Sequence, residues 1–526
     1  MDGFKEPASK RGRYNENATI VDNTADILSA LEADDSDDII LDAHSVTKLF
    51  AAVGSAWKQN YEKRVEYKDM PAKFMESEEA LDNAIQELHS LATEPHLFGV
   101  IVDVKGIDIF ADLLRHPNKD ISAVAINVLK ELTEVDNLNE AEEQAKYLLD
   151  ELIKYELINI AVKDCLGEFL EDKTNEGDAL NDFFTMIENF LEFDPKFAEV
   201  CVSQGFFEWI LLKVTSNLEL DDNIFFMSQL LSQLLQTHET ARIEFNSKIN
   251  GTEKLLLTLA KYIKSTPTGM DETEHMENLF AALCASFDYT PNREAFLKNE
   301  GLQLLTMLLR KAKHTRQACL KVMSHATSST DGKMVVEKLS EDGDLKLLFH
   351  FFVKSPFSKK TGQTAIDEYE EHITSILDAL LRYGSENDRQ KVYSLFGDDD
   401  TFVLRCLELH TKYCRKIEKF DKKNASKDYE FEEDKYLDRL EHGLFTLQRI
   451  VIILADICCF GNEKIIKAVR DNMNGRFGSD QITPLLQSVL NEYTLNLGPE
   501  ADDERNRVSH LITKMTQIDT KNGIGK

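Results

Sequence analysis

Residues 97–136 hold three helical patterns in a row, and none of them can bury its apolar side alone. The first runs from Leu97 to Val104 and stops at Lys105-Gly106. The second sets Ile107, Phe110, Leu113 and Leu114 on one face. His116-Pro117-Asn118 ends it, because proline lacks the amide hydrogen that a helix interior needs. A third pattern opens near Asp120, an acid suited to a helix start. It carries Ile121, Val124, Ala125, Val128, Leu129 and Leu132. Such a unit is stable only when stacked on others of its kind.

The unit recurs. Matching turns stand at Lys105-Gly106-Ile107, Tyr155-Glu156-Leu157, Gln204-Gly205-Phe206, Asn250-Gly251-Thr252, Glu300-Gly301-Leu302 and Asp342-Gly343-Asp344, spaced 42 to 50 residues apart. Each precedes an apolar run such as FFEWILLKV or LQLLTMLLRK. The expected fold is all-α, an armadillo/HEAT-like right-handed helical solenoid with capping helices at both ends. The expected divisions are a disordered acidic tail (1–43), N-terminal capping helices (44–94), armadillo-like repeats (95–417), a charged loop (418–433) and a C-terminal helical cap (434–526). In that cap Leu437, Leu440, Leu444, Leu447, Val451, Leu454 and Cys458 follow a heptad. Phe445, Ile450, Ile452 and Ile453 make the same helix apolar nearly all round, which favours a buried terminal helix over a coiled coil. A homo-oligomer through the C-terminal helices is the alternative.

Charge narrows the partners. A net charge of -32 disfavours nucleic-acid backbones and anionic membranes and favours basic proteins. The eight cysteines lie mostly in apolar helical patterns and form no C-x-x-C, as structural thiols of a reducing compartment do. Neither a signal peptide nor an apolar run of membrane-spanning length is expected. The basic cluster Lys10-Arg11-Gly12-Arg13 is a weak import signal, and EADDSDD (Glu32 to Asp38) is a solvated acid run.

Function is expected on the third helices, which line the concave face of an armadillo stack. No Lys or Arg occurs between Lys173 and Lys196, between Lys213 and Arg242, or between Lys264 and Arg293. Each gap spans a third helix, and polar residues recur there at spacings of three, four or seven. The candidate peptide groove comprises Asn127, Glu131 and Glu134, then Asp182, Asn189 and Glu192, then Gln229, Gln233 and Gln236. It continues through His275, Asn278 and His325. Amides can bond an extended backbone, and carboxylates suit its Lys or Arg side chains. No metalloprotease, serine-hydrolase or phosphate-loop motif occurs, so no enzyme, cofactor or metal site is expected.

Pro71 to Thr93 with the repeat that follows, Met276 to Arg310, and Tyr436 to Cys459 (YLDRLEHGLFTLQRIVIILADICC) resemble the beta-catenin-like protein 1 family. The resemblance covers residues 68–515. It implies a nuclear, non-enzymatic armadillo-like adaptor, associated with the spliceosome through the NineTeen complex. Its partners would be splicing factors with basic nuclear-localisation-type segments, and a cytoplasmic pool is compatible with it. The family often has a long basic import signal, where this chain has only Lys10 to Arg13. Import receptors of armadillo type repeat a Trp and Asn ladder. Here those positions read Glu131, Asn189, Gln233, Ala282, His325 and Ala379. An import-receptor-like or signalling adaptor is the alternative.

Overall fold

A computed structural model describes residues 41–171, 178–216, 220–341, 345–355, 362–425, 427, 429, 431–477 and 481–523. Residues 1–40 of the expected N-terminal tail, its basic cluster and the turn at Gly343 lie outside them, and Ala43, placed in that tail, already belongs to the first helix. Every regular element among the described residues is a helix. The chain divides into two compact units, Met1–Ala241 and Arg242–Lys526. The division falls inside the helix Glu239–Ser247, midway through the run of repeats.

The first unit opens with α1 (Ala43–Glu66) and α2 (Met75–Gln86). Its first full repeat is α3 (Phe98–Asp103), α4 (Gly106–Leu114) and α5 (Lys119–Leu132). Asn118 caps α5 by accepting from the Asp120 amide at 3.1 Å, the cap that a break after proline requires. The next third helices are α6 (Asp178–Phe193) and α7 (Asp222–Thr237). These long helices pack on one another in order, α2 on α5, α5 on α6 and α6 on α7. In the second unit α8 (Met270–Ser286), α9 (Arg316–Thr327) and α10 (Gln363–Tyr383) do the same.

The recurring turn has two demands rather than one. Lys105, Glu156, Gly205, Asn250 and Glu300 are all left-handed, with φ between 48° and 87°. Each lets the first helix end and the second begin at a sharp angle. Only Gly205 meets this with a glycine. Gly106, Gly251 and Gly301 sit one residue later and serve close approach instead. A Cβ on Gly301 would lie 2.2 Å from the Phe296 ring, and one on Gly251 would lie 2.4 Å from the Phe245 carbonyl. The register read from the glycines is therefore shifted by one residue between repeats.

The second unit ends differently from expectation in three ways. Residues 418–423 are not loop but the last turns of α11 (Asp400–Lys423). The heptad helix is broken at Gly443 (φ 110°), and Leu437 before the break is exposed. Beyond it, α12 (Phe445–Phe460) buries Leu447, Val451, Leu454 and Cys458 against α10, α11 and α13 (Asp502–Gly523). The seam residues of α12 are thus covered by the chain's own helices, as a buried terminal helix requires. The stretch Glu432–Phe460 is, contrary to expectation, apolar and long enough to cross a membrane, but 83% of its most apolar window is buried.

An ionic network absent from the sequence reading ties this end together. Arg449 meets Asp378 at 2.9 Å, Arg507 meets Asp456 at 3.3 Å, and Arg382 meets Glu504 at 3.0 Å. Tyr393 donates to Asp456 at 2.7 Å. All three carboxylates are buried, and Arg507 also reaches Asp378 at 3.8 Å and Glu504 at 3.5 Å, so removing Arg507, the cation paired with Asp456, should cost about 3–5 kcal/mol.

Two predictions follow from this packing. Leu129 and Leu283, both 0% exposed, should each cost about 2–5 kcal/mol on change to Ala, read by chemical denaturation. Adjacent substitutions at one turn should have opposite signs. Gly301→Ala should destabilise by about 1–3 kcal/mol through overpacking. Glu300→Gly should be neutral or stabilising by up to about 1 kcal/mol, since glycine relieves the left-handed strain. Equal and small effects at both positions would contradict the two-demand turn.

Candidate functional site

The third helices bring the expected residues of the first unit onto one side, with unequal exposure. Glu134, Glu192, Gln229 and Gln236 are exposed, whereas Asn127, Glu131, Asp182, Asn189 and Gln233 are half-buried. Several already have partners. Asn127 Nδ2 on α5 donates to Asp182 Oδ2 on α6 at 2.8 Å. His89 Nδ1 lies 2.6 Å from Glu131 Oε2. Gln236 Nε2 donates to Ser232 Oγ at 3.0 Å. Asn189 Nδ2 is buried and has no hydrogen-bond partner among the described residues. A buried amide donor left unpaired costs about 1–3 kcal/mol, and its burial closes it to a ligand on the surface.

The face is acidic but not free of cations. Lys130 of α5 pairs with Glu134 at 3.1 Å. Its ammonium is held above its usual pKa by that bond, with Asp182 and Glu131 adding to the field. The Lys/Arg-free gaps begin only after α5, so they did not reveal it. Burial, and then neighbouring Glu192, raise the carboxyl of Glu188. Glu188 belongs to the same face and was absent from the sequence-based set, although it lies four residues before Glu192.

In the second unit one assignment is corrected. His275 is 3% exposed and belongs to the core. Its neighbours Glu274 and Glu277 are exposed acids of α8. The error is a rotation of one residue, within the drift of a helical wheel. Asn278 is half-buried and His325 exposed, with Lys321 exposed one turn before it. Gln317 Nε2 on α9 donates to Glu368 Oε2 on α10 at 2.8 Å, so amide-to-acid bonds again link successive third helices. The ladder positions Ala282 and Ala379 are buried and offer nothing to a ligand.

All eight cysteines are unpaired, and seven are buried. Burial pushes the Cys319 thiol up to about 12, the opposite of an activated nucleophile. Asp438, Glu441 and His442 bring ligand atoms within 4.8 Å of one another, a grouping not foreseen from the sequence. The Asp438 carboxylate already accepts from Lys427 at 2.7 Å and Tyr429 at 2.8 Å.

The model of the catenin-beta-like, Arm-motif containing nuclear family matches residues 25–487. The chain belongs to that family. Beta-catenin-like protein 1 of Homo sapiens is 34% identical to it over 489 residues, covering 90% of this chain and 86% of that protein. The homolog from Schizosaccharomyces pombe is 26% identical over 416 residues, covering 76% of this chain and 70% of that one. As a catenin-beta-like protein the chain is an armadillo-type helical adaptor, a protein-binding scaffold.

Buried imidazoles make this scaffold acid-sensitive. Burial holds His275 near pKa 4, against about 6.5 when unfolded. A depressed histidine contributes stability that is fully present above the unfolded pKa and is lost as pH falls from about 6.5 towards 4. Denaturation at pH 7.5 and 5.0 should show a smaller pH-dependent loss for His275→Gln than for the parent. An identical loss in both would place the titrating group elsewhere.

Proposed function

We propose that this catenin-beta-like chain is a non-enzymatic adaptor of the nucleus that binds Lys/Arg-rich extended segments of splicing factors along its third-helix faces. The observation that carries the reading is the run of third helices without Lys or Arg. In the first unit α6 and α7 have none and expose Glu192, Gln229 and Gln236; in the second, α8 has none and exposes Glu274 and Glu277. The exposed Gln229 side chain supports it, since its amide can both donate to and accept from an extended backbone. The nuclear setting rests on the family's description. Association with the NineTeen complex, and the choice of splicing factors over import cargo, rest on the resemblance of the sequence motifs.

Exposed opposite charges contribute at most about 1 kcal/mol each. Affinity must therefore come from several of them together with amide hydrogen bonds, which suggests a Kd on the order of micromolar. Glu134→Lys, Glu192→Lys and Gln229→Lys, all at exposed positions, should together weaken binding of a basic splicing-factor peptide at least tenfold and leave the circular dichroism spectrum unchanged. Binding by the parent should also weaken with added salt, as the Debye length falls below about 8 Å. Undiminished binding by the triple variant, or indifference to salt, would sink the reading.

A further inference from the structure

We propose that the second unit carries a separate, basic cleft that binds a short acidic peptide segment through clustered anionic side chains, carboxylates or phosphates. The cleft, of about 390 Å³, runs along the C-terminal half of α11 and is walled by residues 438–442. Its floor is a stripe at helical spacing: Lys416, Lys419, Phe420 and Lys423, with Lys427 beyond the helix end. Residues 412–427 hold seven basic and two acidic side chains, in a chain whose net charge is -32.

The cleft has a built wall. Gly443 turns the chain with φ 110°, and a Cβ there would stand 2.9 Å from the Tyr413 ring and 3.4 Å from Lys416 Cδ. Only glycine lets the segment cross α11 this closely. The crossing stacks His442 on Phe420, with ring centroids 4.2 Å apart. It also sets Asp438 against Lys427 at 2.7 Å, which closes one end.

Three of the acids nearby are already committed, while Glu418 and Glu441 are exposed. Asp367 takes Lys416 at 2.7 Å, Asp438 takes Lys427, and Asp421 takes Arg439 at 3.1 Å. Lys419 and Lys423 are exposed and have no acidic partner among the described residues. They are one helical turn apart, about 6 Å along the axis. Alternate residues of an extended peptide lie about 6.6–6.8 Å apart on one side, so acids at every second position would meet successive lysines.

A peptide fits better than a nucleic acid. A polyanion longer than the cleft would meet the field of a strongly acidic chain. Phe420, the aromatic ring of the cleft floor, has one face covered by His442, tilted 32° to it, which leaves less of the ring for a base to stack on. This site is independent of the third-helix faces, where the ligand has the opposite sign.

The test uses the full chain and fluorescence anisotropy with four labelled probes: an octapeptide with Glu at alternate positions, the same peptide with phosphoserine there, one with Gln there, and an eight-nucleotide oligouridine. The acidic or phosphorylated peptide should bind, and Lys419→Glu with Lys423→Glu should weaken it at least about tenfold, while Lys68→Ala with Lys298→Ala should leave it unchanged. Phosphoserine above Glu identifies phosphate as the ligand, and equal affinity identifies carboxylate. The proposal is overturned if neither anionic peptide binds, if the Gln peptide binds as well, if the double charge reversal has no effect, or if oligouridine binds more tightly than both peptides.

Discussion

Each long third helix has an apolar stripe too wide for its own repeat to cover, and it is buried by the third helices before and after it. In the first unit α5 lies between α2 and α6; in the second, α9 lies between α8 and α10. A fully buried Leu contributes about 1.5–3 kcal/mol relative to exposure, and Leu129, Leu132, Leu279 and Leu283 are all 0% exposed. This packing sets the rest. Once one side of each third helix is committed to its neighbours, the opposite side is aligned with theirs, and polar residues there meet between helices, as Asn127 and Asp182 do.

The side proposed to bind ligand therefore also has a structural role. Bonds such as Asn127 to Asp182 and Gln317 to Glu368 fix the spacing of successive helices, while Glu192 and Gln229 remain exposed between them. The basic stripe of α11 shows that the acidity of the chain is not uniform. Where the helix Asp400–Lys423 extends past its packed portion, lysines return at each turn.

Much of the helical pattern was legible in the sequence, because apolar residues at a period of 3.6 leave a strong signal over 14 to 24 residues. Ile107, Phe110, Leu113 and Leu129 are buried in the helices where that period places them. What escaped was either ambiguous or distant. Glycine answers both a left-handed turn and a close approach, so Gly205 and Gly301 look alike in sequence yet stand one residue out of register. His275 and Glu274 differ by one step on the wheel, and only packing decides which faces inward. Asp378 and Arg449 are 71 residues apart. Either one alone reads as part of a wet face, and their pairing exists only in three dimensions. Lys419 and Lys423 read as a charged loop because the helix carrying them is poor in aliphatic residues.

The most direct test of the central claim, that the aligned third helices form the ligand-binding face, is hydrogen exchange measured by mass spectrometry with and without a saturating Lys/Arg-rich peptide from a splicing factor. The account predicts added protection in α6 and α7, with little change in the second helices such as α4. Protection confined to the second helices, or a peptide that binds without altering exchange in any third helix, would contradict it.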